Sequence, residues 1–415
     1  MITPIQHFLK GTSVACILLF ASCKSNDQSS NEDIAFSVES KLDRQEIVVQ
    51  LPLEKITATS PDFNVKDFSI LFDGKAIPME ITGDGNKQQV LLFVNALSAE
   101  KQHELKIVPN SEGKYPSNFP KLTQAEISHK VGGEFKDRKY IGGEFQNVSE
   151  LSVPDEHTDH SYFIRYEGPG WESDKVGYRF YLDWRNGVDV FGKKTHEMVL
   201  QDVGQDGFDS YHEPADWGMD ILKVGPSLGL GSIATWEEGK ARRIDKTDSV
   251  LVKIVEDGSL RSTIQTNYYG WDIASGKTGI SSTISIEAGS RMSKHQVIAE
   301  NGIDNFCTGL IKSDVAPLKV SDRNKPFSYL ATYGPQSLAG DKLGLAVIFP
   351  SEQLIEVTGD EHSHVAVLKP IDQKELTYYF LAAWEQEPEG ITSETEFYKY
   401  LDRKIEELSN PVKVK

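Results

Sequence analysis

Apolar and polar residues alternate with period two along much of this chain, and period two is the signature of β-strand. The clearest case runs from Lys175 to Asp183. Val176, Tyr178, Phe180 and Leu182 fall on one face, Lys175, Arg179, Tyr181 and Asp183 on the other. The first reads as a core face. The second is too charged and too aromatic for a plain solvent face and reads as the floor of a cleft. Arg165 and Glu167 share a face in the segment just before it. Between the two lies Gly168-Pro169-Gly170-Trp171-Glu172, a turn carrying a Trp and an acid.

Other runs extend the pattern. Ile47–Leu51, Phe68–Phe72 and Val90–Val94 are strand-like, with turn signals at Asp73-Gly74 and Asp84-Gly85. Their spacing predicts a small immunoglobulin-like β domain over residues 34–110. Residues 111–124 have the Pro, Gly and Ser content of a linker. Two Gly-Gly-Glu-Phe stretches, ending at Phe135 and Phe145, predict hairpin edges. Strand signals recur over residues 125–390 with no βαβ rhythm, which predicts a large antiparallel sandwich. One helix is expected over residues 391–410: Thr392 or Ser393 caps it, and Phe397, Leu401, Ile405 and Leu408 repeat at helical spacing. Asn410-Pro411 stops it. The predicted class is therefore all-β, a small sandwich followed by a large one and a single C-terminal helix.

The N-terminus breaks the pattern. Lys10 precedes an apolar run from Val14 to Phe20, and Ala21-Ser22-Cys23 ends it. This resembles a bacterial lipoprotein signal over residues 1–22, with Cys23 lipidated and residues 23–33 as a polar tether. The expected localisation is exported and membrane-anchored. Of the 3 Cys, only Cys307 lies beyond this region, so an internal disulfide and a zinc-cysteine cluster are excluded. Cys307 reads as a buried small hydrophobe. A net charge of -18 argues against nucleic acid as partner.

The candidate chemistry clusters between Ser161 and Gly231. His212, between Tyr211 and Glu213, has the pKa for acid–base work, and Tyr181 is a second proton carrier. His196 and the pair His362 and His364 are the reserve candidates. Arg179, Arg185, Lys193 and Lys194 form a basic set in an acidic chain. They could bind a carboxylate or sulfate, or pair with Asp183, Asp189 and Glu172, which are equally near in sequence. Trp171 and Trp217, flanked by glycine, are candidate platforms for a sugar ring or else core residues. Glu172 is a candidate hydrogen-bond partner for substrate. Asp202, Asp206 and Asp209 do not have the spacing of a calcium loop. No nucleophile elbow, zinc-protease or dinucleotide motif occurs in a suitable context, so neither metal nor cofactor is expected.

YEGPGWESDKVGYRFYLDWRNGVDVFGKK, followed by YHEPADWGMDILKVGPSLGLG, resembles the core of the family catalogued as domain of unknown function 4861. The first block departs from that family's usual His-Gly-Pro at Glu167. The resemblance implies a galactose-mutarotase-like β-sandwich encoded among the polysaccharide-degradation genes of Bacteroidota. It also implies an activity, since the family includes a dehydratase of ulvan oligosaccharides. That reaction removes water across C4–C5 of a non-reducing-end uronic acid and leaves an unsaturated sugar. On this expectation Arg179 or Lys194 would neutralise the substrate carboxylate, with Arg185, Glu172, Trp171 and Trp217 as further contacts. His212 and Tyr181 would move protons. The alternatives are a carbohydrate-binding lipoprotein without catalysis, and a polysaccharide lyase using the same α-proton chemistry to expel a sugar.

Overall fold

The computed structural model describes residues 34–415, except 61–63, 65, 111 and 207–209. The leader, the tether, Cys23 and Asp209 lie outside the described residues.

Two hydrophobic cores organise the chain. The smaller gathers Val38, Leu51, Ile70, Val90, Leu92 and Leu105 between two sheets. A three-stranded sheet (Arg44–Pro52, Met79–Thr82, Gln89–Leu97) faces a five-stranded one. The five-stranded sheet takes its edge strand, Lys413–Val414, from the other end of the chain, with Val38 opposite Val414. The short helix Leu53–Thr59 was not anticipated, because seven residues give too little periodicity to distinguish it from a turn.

The larger core lies between a nine-stranded sheet and shorter sheets facing it. Neighbouring strands of the nine-stranded sheet are antiparallel along the long strands Ser249–Asp257, Arg261–Ile273, Gly276–Glu287 and Met292–Ala299. Their β-branched residues alternate inward, as at Ile280, Ile284 and Ile286. The expected all-β sandwich is what forms. The C-terminal helix, Glu394–Ser409, begins where the Ser393 side chain accepts from Glu396 N at 3.3 Å. Its buried stripe of Phe397, Leu401 and Ile405 packs on Tyr333, Ala346 and Leu381, the outer face of the nine-stranded sheet. Cys307 is fully buried, as expected.

The sheet that matters for the site has six strands. In spatial order they are Gly218–Asp220, Val188–Lys193, Gly177–Phe180, Gly170–Ser173, Thr123–Lys136 and Lys139–Val148. The last two form a long hairpin in which Gly133 pairs with Gly142, so the two glycine-rich echoes are its two arms. The inner face of this sheet carries Trp171, Tyr178, Val188, Val190 and Met219 into the large core.

Candidate functional site

The outer face of the same sheet carries charge. Period two puts Glu172, Arg179, Asp189, Lys193 and Asp220 on the side opposite Trp171, Tyr178, Val190 and Met219. Two covering segments, residues 157–167 and the described parts of the next loop, 194–206 and 210–217, fold over that face and bury it. The floor is therefore covered, and the cleft predicted there is not open. This corrects the expectation for most of the charged residues assigned to it.

Arg179 stands directly opposite Asp189 in the ladder and binds it through Nε and Nη2 at 3.0 and 2.7 Å. It also binds Asp220, and its Nη1 donates to the Tyr211 hydroxyl at 2.8 Å. With its side chain 3% exposed, it has no direction left in which to meet a substrate carboxylate. Arg185 is likewise held, by Asp183, by Glu167 at 2.9 Å and by Asp159 at 3.0 Å. Lys193 Nζ pairs with Glu172 at 2.6 Å, and both side chains are fully buried. Glu172 also accepts from the backbone N–H of Val199 and Leu200, which pins the second covering loop. Of the two readings of the basic set, ion pairing with Asp183, Asp189 and Glu172 is the one realised for these three residues.

Tyr181 donates to Asp189 and is buried, and burial raises its hydroxyl pKa well above the usual value. It is a strut for Asp189 and not a proton carrier. Trp171, 1% exposed, stacks on Tyr178 with centroids 5.6 Å apart and donates to Ser293 Oγ at 2.9 Å. It is a core residue, and the sugar platform assigned to it is withdrawn. Glu172 cannot touch substrate either.

What reaches solvent is the rim. His212 ends the 3₁₀ turn Ser210–His212, and its side chain is 38% exposed. Its Nε2 lies 3.4 Å from Asp220 Oδ2, the carboxylate that Arg179 holds from below. The hydrogen bond to Asp220 raises the His212 pKa, outweighing the lowering effect of partial burial. Asp220 reaches this place because Gly218 joins its strand with φ +136°, where an added Cβ would lie 1.8 Å from the Gly192 carbonyl oxygen. Trp217, half-buried, packs edge-on against Phe191 with centroids 6.0 Å apart. Its carbonyl accepts from Lys194 N at 2.8 Å. Lys194, also half-buried, has its Nζ 5.7 Å from the Trp384 ring centroid. His196 sits elsewhere on that loop, bonded to the Asp174 carbonyl at 2.9 Å.

The charges under the rim are continuous. From His212 the chain of contacts runs through Asp220 and Arg179 to Glu167 at 3.7 Å, then through Arg185 to Asp159, whose Oδ1 is 2.6 Å from His160 Nδ1. Burial opposes ionisation of Glu167, but Arg179 and Arg185 outweigh it and hold the carboxyl at about 2. Asp189 goes the other way: burial and the neighbouring Asp220 push it up to about 6, against the pull of Arg179. Asp220, Tyr211, Asp159 and His160 were missed as site residues. Asp220 ends a glycine-containing aromatic stretch in the sequence, but nothing local says which histidine it will face.

Among the described residues Asp159, His160 and Glu167 are the cluster whose ligand atoms could gather round a metal ion. Arg185 already binds both carboxylates, so a cation there would compete with a guanidinium. His362 and His364 do not form a metal cluster with other described residues.

Over residues 37–414 the sequence matches the family described as "Domain of unknown function (DUF4861)". The chain belongs to the DUF4861 family. No curated protein matches this DUF4861 chain. Among solved structures it is similar to an alpha-mannosidase from Enterococcus faecalis V583, with 10% identity, a TM-score of 0.48 and coverage of 93% of this chain and 46% of that one. A protein in the Glycosyl Hydrolase Family 38 from Enterococcus faecalis gives 9% identity, a TM-score of 0.41 and coverage of 93% and 48%. The DUF4861 chain thus spans about half the length of these structures.

Proposed function

We propose that this DUF4861 protein is a carbohydrate-active dehydratase, with His212 as its proton carrier. The observation that carries this reading is a half-exposed imidazole backed by Asp220, a buried carboxylate that Arg179 orients in turn. A base held by a third group is the arrangement proton-transfer enzymes use. The substrate class comes from the family resemblance: an oligosaccharide ending in a uronic acid.

The chemistry balances as an elimination. A base takes H5, the proton α to the carboxylate. The C5–H electron pair becomes the C4–C5 double bond, and the C4–O bond breaks as the 4-hydroxyl is protonated and leaves as water. On one face of the sugar a single imidazole can accept H5 and return a proton to the departing oxygen. Asp220 serves both halves, since it stabilises the imidazolium formed between them. The substrate carboxylate needs a cation to acidify H5. Lys194 takes that role from Arg179, because it makes no ion pair among the described residues and is tied through Trp217 and Phe191 to Tyr211 beside His212.

Incubation with a saturated, uronate-ended oligosaccharide tests the reading by mass and ultraviolet absorbance. Loss of one water without chain shortening is expected. Shortening would mean a lyase, and an unchanged sugar that still binds would mean a binding protein. His212→Ala should lower kcat by ~10²–10⁴-fold while binding survives. We further propose that the chain is exported and anchored through Cys23. Cys23→Ser should move it from the membrane fraction to the soluble one, and unchanged membrane association would defeat the anchor.

A further inference from the structure

A second cleft lies where the long hairpin passes the first covering loop. It is lined by Lys130 and Phe145 of the hairpin and by His160, Tyr162, Tyr166 and Glu167 of the loop. We propose that this cleft is a subsite for an anionic substituent, a carboxylate or sulfate ester, on a sugar unit neighbouring the one that reacts. The proposal rests on the dehydratase reading for its substrate class.

Four observations support it. First, the loop is built at backbone expense. His160, Tyr162, Tyr166 and Glu167 have φ of 59°, 60°, 37° and 71°, the left-handed region that bulky residues avoid. The fold holds them there through the hairpin: Lys130 N donates to Phe163 O at 2.8 Å, and Tyr140 N to Ser161 O at 2.7 Å. Second, two lysines beside the cleft are without an ion pair among the described residues. Lys130 Nζ sits 5.3 Å from the Phe145 ring centroid and Lys139 Nζ 5.4 Å from that of Tyr162. Neither makes an ion pair among the described residues, in a protein of net charge -18. The acid that lines the cleft, Glu167, is already bound by Arg185 and faced by Arg179, so it does not claim Lys130. Third, the size suits a substituent and not a ring. The cleft holds about 20 Å³, room for roughly one water-sized group. An oxyanion oxygen can enter while its sugar lies across the mouth, where Phe145 and Tyr162 offer apolar surface. Fourth, the cleft adjoins the rim. Gly204 lines it, and a side chain there would meet the Tyr166 ring at 3.4 Å and the Tyr211 ring at 3.3 Å. Tyr211 in turn packs on His212 with centroids 4.8 Å apart. One oligosaccharide can therefore span both places.

The test is calorimetric titration of the full chain with three probes: a sulfated, uronate-ended oligosaccharide, its desulfated form, and a sulfated oligosaccharide without uronate. Lys130→Ala should weaken binding by roughly ten-fold, and Lys130→Arg should restore most of it. The loss should shrink at high salt. A loss confined to the two sulfated probes identifies sulfate on the neighbouring unit as the occupant, and a loss that follows the terminal uronate instead overturns the subsite, because that carboxylate belongs to the sugar that reacts. Lys130 is partly exposed, so the thermal midpoint should not move. Equal affinity of wild type and Lys130→Ala for all three probes overturns the subsite, as does failure of the wild type to bind any of them. The two readings fail separately. Wild type that binds in a Lys130-dependent way but releases no water sinks the dehydratase and leaves the subsite. Dehydration with a KM indifferent to Lys130→Ala does the reverse.

Discussion

The two faces of the six-stranded sheet are built from the same strands and are equally dry, yet they are held together by different forces. On the inner face Trp171, Tyr178, Val190 and Met219 meet the nine-stranded sheet and contribute by leaving water. On the outer face Glu172, Arg179, Asp189, Lys193 and Asp220 are buried as deeply but interact through specific partners. An apolar face tolerates a partner of similar volume. A buried ionic face tolerates only its own arrangement, because each charge taken out of water depends on the next. The lesson is that the outer face does not serve to bind ligand. It fixes the position of the few groups that emerge from it, His212 above all.

Breaking the outer face should have the largest effect. Arg179→Ala leaves Asp189 and Asp220 buried beside each other without their shared cation. We expect a loss of about 3–5 kcal/mol in denaturant unfolding, together with loss of activity as Asp220 loses its support. A loss under about 1 kcal/mol would mean that the outer face does not depend on this shared cation. Met219→Ala on the inner face is the matched control. It should cost about 2–5 kcal/mol through the cavity it leaves, with the pH profile of activity unchanged.

The smaller and sharper effect concerns Asp220→Asn. Asp220 raises the His212 pKa, so its neutralisation should lower it and move the His212 limb of the pH–rate profile to lower pH. The sign for stability follows from the same shift. A histidine whose folded pKa is raised contributes stability fully below its unfolded pKa of about 6.5, and loses it as pH rises through the folded value. Wild type should therefore lose this contribution on going from mildly acid to mildly alkaline pH, and Asp220→Asn should lose less of it. Identical pH–rate profiles for the two proteins would disconnect His212 from Asp220.

Much of this was legible in the chain itself. The alternation around Arg179 gave the strand and its two faces, and the spacing of Phe397, Leu401 and Ile405 gave the helix and its buried stripe. Even ion pairing of the basic set with Asp183, Asp189 and Glu172 was open as one of two readings, though not which cation takes which carboxylate. The choice between the readings was not legible. It depended on whether the segments 157–167, 194–206 and 210–217 leave the polar face open or cover it.

By itself, then, the sequence determined the all-β class, the strand faces, the C-terminal helix and the segment where polar chemistry gathers. These are local consequences of side-chain period and turn residues, which act over a few positions. Tertiary structure alone decided which charges are spent on each other and which meet solvent. It set Asp220 against His212, buried Trp171 between sheets and put Lys130 of the hairpin and Glu167 of the covering loop on one cleft. The physical reason is that burial and ion pairing depend on distances in space between residues far apart in the chain. A side-chain pattern shows which face a residue occupies, but not what will lie over that face.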